Sequence, residues 1–138
     1  MKGILADANA IGQIDALVHR MQTGEWAGLW AALGLEFKHF DDVGLSSDSS
    51  DRDIWHICQS EELVLLTDNR NEDSADSLEA VIRQHNQPNC LPVLTISNMQ
   101  RFRKSRAYAE KVLEDLYDYL LRIDELRGTG RLYLPQKQ

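Results

Sequence analysis

The chain of 138 residues lacks a surplus of positive charge: 15 Lys and Arg stand against 22 Asp and Glu, a formal net charge of −7. That balance argues against a standing grip on nucleic acid, because phosphate binding draws on an excess of Lys and Arg. It does not exclude a nuclease, since a carboxylate cluster that binds a divalent ion looks acidic until the ion reverses the local sign. A basic protein partner is the other reading. Cysteine is scarce as well. Cys58 and Cys90 form no CxxC motif, so a structural zinc site lacks support. They read as small buried hydrophobes in a reducing compartment. No apolar run approaches the roughly 18 residues that cross a membrane. The opening Met1-Lys2-Gly3-Ile4-Leu5-Ala6-Asp7 meets a charge too soon for a signal peptide. The expected location is cytoplasmic, with no membrane partner. A P-loop and a GxGxxG motif are both missing, so nucleotide-cofactor readings have nothing to rest on.

What is present is ordinary globular material, 43% hydrophobic and 27% charged, enough for one domain over residues 1–138 with a single independent core. Four short β-type runs are spaced along it: Gly3-Ile4-Leu5-Ala6-Asp7, Leu35-Glu36-Phe37-Lys38-His39-Phe40, Leu63-Val64-Leu65-Leu66-Thr67 and Pro92-Val93-Leu94-Thr95-Ile96. Arg131-Leu132-Tyr133-Leu134-Pro135 is a weak fifth. The third run is continuously apolar, as a strand covered on both faces must be. Helical spacing recurs between the runs, in Ile11, Ile14, Leu17, Val18 and Met21, and again in Trp26, Leu29, Trp30 and Leu33 before Gly34. Ser49-Ser50-Asp51 and Asp76-Ser77 supply N-cap chemistry for two further helices. Tyr108, Val112, Leu116, Tyr119, Leu120 and Ile123 stripe a long last helix expected over about 105–126. Strands alternating with helices predict an α/β fold with a mostly parallel sheet of four to five strands and right-handed crossovers. Residues 41–50 are polar and read as a loop.

In an open parallel sheet, sites lie beyond the carboxyl ends of the strands. Three acidic positions meet that rule: Asp7 ends the first strand, Asp51 with Asp53 opens the helix before the third, and Asp68 follows the third. Carboxylates that converge repel each other unless a cation lies between them. Mg²⁺ or Mn²⁺ favours such oxygen donors and promotes phosphodiester hydrolysis. Each residue also has a plainer role. Asp7 suits a turn with Asn9, Asp51 an N-cap, Asp53 the favourable end of a helix dipole, and Asp68 a turn with Asn69 and Asn71. His19, His39, His56 and His85 are read as structural or surface residues, and Trp26, Trp30 and Trp55 as core. Arg101, Arg103, Lys104 and Arg106 form the one dense basic cluster, a solvated helix start or a phosphate grip.

Ile4-Leu5-Ala6-Asp7-Ala8-Asn9 resembles the opening strand of PIN-like domains, where a strand-terminal Asp begins a metal site. Asp51-Arg52-Asp53-Ile54-Trp55-His56-Ile57-Cys58, then Glu62-Leu63-Val64-Leu65-Leu66-Thr67-Asp68-Asn69-Arg70-Asn71, resembles the later signature of that family. The resemblance covers roughly residues 3 to 72. It implies a three-layer α/β/α fold, Mg²⁺ or Mn²⁺ as cofactor, and metal-dependent endoribonuclease activity, as in the toxin of a toxin–antitoxin pair. It implies RNA as substrate, an antitoxin or other protein as partner, and a homodimer, for which Tyr108, Tyr117 and Tyr119 of the last helix would offer a surface. Asp7, Asp51 and Asp68 would hold the metal, and Asp53 or Glu72 would position the attacking water. Asn9, Asn69, Arg70 and Asn71 would orient substrate or ligands. Asn69 and Asn71 stand where the family carries Asp, and Asn offers an oxygen without a charge. Glu25 and Glu36 do not match the family's early helical Glu. Two alternatives remain open at this point: a non-catalytic PIN-like module binding protein or RNA, and a small-molecule phosphoester hydrolase.

Overall fold

The computed structural model describes residues 1–69 and 77–136. Within them, the alternation of side chains along each strand sets the layers. Ile4, Ala6, Val64, Leu66, Leu94 and Ile96 turn to one side of the sheet and join one apolar core. Leu5, Leu63, Leu65 and Val93 turn to the other side and join a second. A strand with both faces buried must be apolar at every position, and all of Leu63-Val64-Leu65-Leu66-Thr67 is buried.

The strands are β1 (Gly3–Ala6), β2 (Glu36–Lys38), β3 (Leu63–Thr67), β4 (Val93–Ile96) and β5 (Arg131–Leu134). They pair in the order β2-β1-β3-β4-β5, every pair parallel. The helices are α1 (Ile11–Met21), α2 (Ala27–Leu33), α3 (Asp51–Ser60), α4 (Leu78–His85), α5 (Met99–Lys104) and α6 (Arg106–Leu121). Ile14, Leu17, Val18 and Met21 of α1 and Val112, Leu113, Leu116 and Leu120 of α6 cover the first face. Ile54, Trp55 and Cys58 of α3 and Leu78, Val81 and Ile82 of α4 cover the second. The result is the expected α/β/α arrangement, with a five-stranded, wholly parallel sheet at its centre. No helix among the described residues is long and apolar enough to cross a membrane.

Chain order and strand order part company at β1. The chain leaves β1 for β2 on one side, then crosses to β3 on the other. Loops leaving β1 and β3 therefore diverge, and a crevice opens between their carboxyl ends.

The last third of the chain departs from expectation. The helix expected over about 105–126 begins where expected but stops sooner: α6 ends at Leu121 and a 3-10 turn, Ile123–Leu126, follows it, while the short helix α5 precedes it. Ser105 divides α5 from α6: its backbone is extended (φ −118°, ψ 114°), and its hydroxyl accepts from the Tyr108 N–H to cap α6. The basic cluster straddles this break, and Arg101 lies over the Tyr108 ring, 4.8 Å from its centroid. The tyrosines do not form the dimer surface expected of them, because all three are buried. Tyr117 stacks on Trp26 and donates to the Met21 carbonyl, and Tyr119 donates to the Tyr133 carbonyl. Of the tryptophans, Trp55 is core, whereas Trp26 and Trp30 are half-buried at its edge.

Candidate functional site

The face covered by α3 and α4 changes character at the carboxyl end of the sheet. Two residues beyond Leu5, Leu65 and Val93 stand Asp7, Thr67 and Thr95. The register Leu5↔Leu65 and Thr67↔Thr95 holds these three at one level across β1, β3 and β4. Only 5% of Asp7 is exposed. Its carboxylate accepts from the Thr67 hydroxyl at 2.6 Å, and its backbone N–H donates to the Leu66 carbonyl at 3.1 Å. The Thr67 oxygen in turn accepts from the Asn69 N–H at 3.0 Å. One hydroxyl thus ties the end of β1 to the turn after β3.

Asp51 arrives from α3. It is the first residue of that helix, but the capping task falls to Ser50, whose hydroxyl accepts from the Asp53 N–H at 3.1 Å. The Asp51 carboxylate is therefore not spent on its own helix. It accepts from the Leu78 N–H at the start of α4 and from the Asn69 side chain. Burial pushes its proton affinity above the usual carboxylate range, and the negative charge of Asp7 pushes the same way. The two hydrogen bonds and the Arg131 charge pull against this without cancelling it. Two carboxylates from distant parts of the chain thus share one neighbourhood, at the point where the strand order reverses. Cys58 belongs to the core on this face of the sheet; burial and the Asp7 charge hold its thiol protonated.

The other acidic candidates stand apart. Asp53 is exposed in the first turn of α3. Asp68 is half-buried, and the neighbours that act on Asp51 are Asp7, Leu78, Asn69 and Arg131. The place beside Asp51 after β3 belongs to Asn69. Among the described residues no three His, Cys, Asp or Glu gather closely enough to hold a metal ion. Arg70, Asn71 and Glu72 lie outside the described residues, as does the side chain of Asn9. The histidines are peripheral: His39 pairs with Asp15 at 2.9 Å, and His56 and His85 meet edge to face between α3 and α4.

Sequence reasoning missed Arg131. It opens β5, and its side chain is only 5% exposed. Its Nε donates to Glu79 at 2.8 Å, and its Nη1 donates to the Asn69 carbonyl at 2.7 Å and to the Thr95 hydroxyl at 2.8 Å. Its Nη2 is buried, with no hydrogen-bond partner among the described residues. The available signal was an arginine at the head of a short run with Leu132 and Leu134, a residue that a covered sheet admits only when paired.

No protein-family model, curated protein or solved structure matches the chain. The chemistry of the site rests on its own geometry.

Proposed function

We propose that this chain is a metal-dependent endoribonuclease of PIN-like type, with Asp7 and Asp51 holding Mg²⁺ or Mn²⁺. The meeting of these two carboxylates at the sheet's crevice carries the reading. Burial and the Asp7 charge make ionised Asp51 costly, and a divalent cation is the partner that relieves both. The donor set fits the ion, because Mg²⁺ is commonly held by one or two carboxylates with waters completing its shell. When bound, the ion would neutralise the charge that builds on the phosphoryl oxygens.

The surrounding residues then have definite tasks. Thr67 holds Asp7 in one orientation. The Leu78 N–H and the Asn69 amide orient Asp51. An acidic chain also suits a basic protein partner, which is the place of an antitoxin in this reading.

The test is Mn²⁺-dependent cleavage of single-stranded RNA, together with thermal melting with and without Mn²⁺. Wild-type protein should cut RNA and melt higher with metal, since a ligand of the folded state stabilises it by mass action. Asp7→Asn and Asp51→Asn should abolish both effects while the circular dichroism of the fold is retained. Unchanged cleavage in both variants would remove these residues from the chemistry.

A second reading is supported by Asn69, which brings an amide rather than a charge to Asp51. In that reading the chain is a non-catalytic PIN-like module that binds RNA or protein. A melting temperature indifferent to millimolar Mn²⁺ would favour it.

A further inference from the structure

We propose that the chain forms a twofold homodimer through the outer edge of β2 and the adjoining helix α2. The inference stands apart from the nuclease reading, since it needs neither metal nor RNA. β2 ends the sheet and pairs only with β1. The Glu36 N–H donates to the Lys2 carbonyl at 3.1 Å. Glu36 and Lys38 therefore turn their backbone groups to β1, and Phe37 turns its N–H and C=O outward. No strand among the described residues covers that side. A groove of about 500 Å³ opens there, walled by Glu36, Phe37, Lys38 and Asp42.

The helix beside this edge carries a second observation. α2 is Ala27-Gly28-Leu29-Trp30-Ala31-Ala32-Leu33, seven residues without a charge or a hydroxyl, and none of them is buried. A helix apolar all round belongs inside a protein or against a partner. Leu29, Trp30, Leu33, Leu35 and Phe37 lean on the core from one face of the sheet and stay partly exposed. Gly28, Ala31 and Ala32 are open to solvent. Contiguous apolar surface of this kind marks an association site.

The strand selects a second copy of the chain as its occupant. Two β2 strands laid antiparallel about a twofold axis at Phe37 exchange Phe37 N–H and carbonyl groups reciprocally. The same register sets Glu36 of each copy opposite Lys38 of the other, so four charges alternate in sign on one face of the joined sheet. Both side chains are available for this, 64% and 34% exposed. Phe37 of each copy falls on the opposite face, where α2 also lies, so the two apolar helices flank the axis together. Three residues of strand bury far less than the roughly 1,200–2,000 Å² of a stable interface, and α2 supplies the remainder.

The experiment is sedimentation velocity of the full chain over about 1–100 μM, concentrations at which a modest interface dissociates. Wild-type protein should pass from monomer to dimer as concentration rises. Glu36→Lys sets like charges opposite each other at two symmetric points and should weaken the dimer about tenfold. Glu36→Lys combined with Lys38→Glu restores the alternation and should restore the affinity. Ala31→Glu combined with Ala32→Glu, at exposed positions of α2, should abolish the dimer with circular dichroism unchanged. Wild-type affinity in Glu36→Lys, no recovery in the charge exchange, or an undisturbed dimer in the α2 variant would overturn the proposal. A wild-type monomer at every concentration would overturn it too, and would leave the apolar face to a different protein.

Discussion

The Thr67 hydroxyl donates to Asp7 Oδ2 at 2.6 Å, joining the carboxyl ends of two neighbouring parallel strands. Both residues are buried, with 0% of Thr67 and 5% of Asp7 exposed. Thr67→Val keeps the shape and deletes the donor, which leaves a buried carboxylate short of a partner. The expected loss is about 1–3 kcal/mol of stability in urea denaturation. Thr67→Ser should recover most of it. A Thr67→Val protein as stable as wild type would show that this contact does not secure Asp7.

Asp51 gives the site a pH signature. Its folded-state proton affinity is raised from the ordinary value of 3.8, by burial first and by Asp7 second. A carboxyl raised on folding contributes stability that is present below the unfolded value and lost as pH climbs through the folded one. Asp51→Asn removes that loss. In chelator-treated buffer the variant should therefore gain on wild type as pH rises from below 3.8 to neutrality. Added Mn²⁺ should narrow the gap, because the ion stabilises only the protein that binds it. A pH-independent gap in urea midpoints would contradict this account.

Arg131 and Glu79 form an ion pair whose side chains are 5% and 19% exposed. Removing one member of such a pair leaves the other charge buried without its counterpart. Glu79→Ala should cost about 3 kcal/mol, near the lower end for buried pairs because Glu79 keeps some contact with water. Replacing both, as Glu79→Ala with Arg131→Met, should cost less than the sum of the single changes. Chemical denaturation of the four proteins in a double-mutant cycle measures the difference, and strict additivity would mean the pair is uncoupled.

Two glycines should respond in opposite directions to alanine. A Cβ on Gly3 would sit 2.2 Å from the Glu36 carbonyl oxygen, in the pairing of β1 with β2. The backbones must part to admit it, at a cost near the top of the overpacking range, about 3 kcal/mol. Gly28 lies inside α2 with nothing within 4 Å of its added Cβ. Gly28→Ala should stabilise by roughly 0.5–1 kcal/mol, since glycine is the costlier residue within a helix. Thermal melts of the two variants shifting in the same direction would undo this contrast.

Much of the architecture is legible along the chain because its signals are local. The apolar run 63–67 is β3 to the residue, and Gly34 ends α2 in the left-handed conformation (φ 63°) as a C-terminal glycine does. Ser50 and Ser77 cap α3 and α4 where N-cap chemistry was expected. The start of α6 at Ser105 was legible too, whereas the end of α6 at Leu121 was not, because the apolar stripe runs on to Ile123 in the 3-10 turn that follows. Of the candidate site, Asp7 and Asp51 were legible as a strand end and a helix start. That Asn69 stands beside Asp51, and that Ser50 frees Asp51 from capping, depend on turn conformations that residue spacing does not encode.

The amino-acid sequence alone determined which segments are strands and helices, where most of them stop, and which faces are apolar, since short-range sterics and periodic burial decide those things. Tertiary structure alone decided the order β2-β1-β3-β4-β5, the single level shared by Asp7, Thr67 and Thr95, and the reach of Arg131 from the last strand to the turn after the third. The physical reason is that these are distances between residues far apart in the chain. They are set by strand pairing and by helices packing on both faces, and no local pattern carries them.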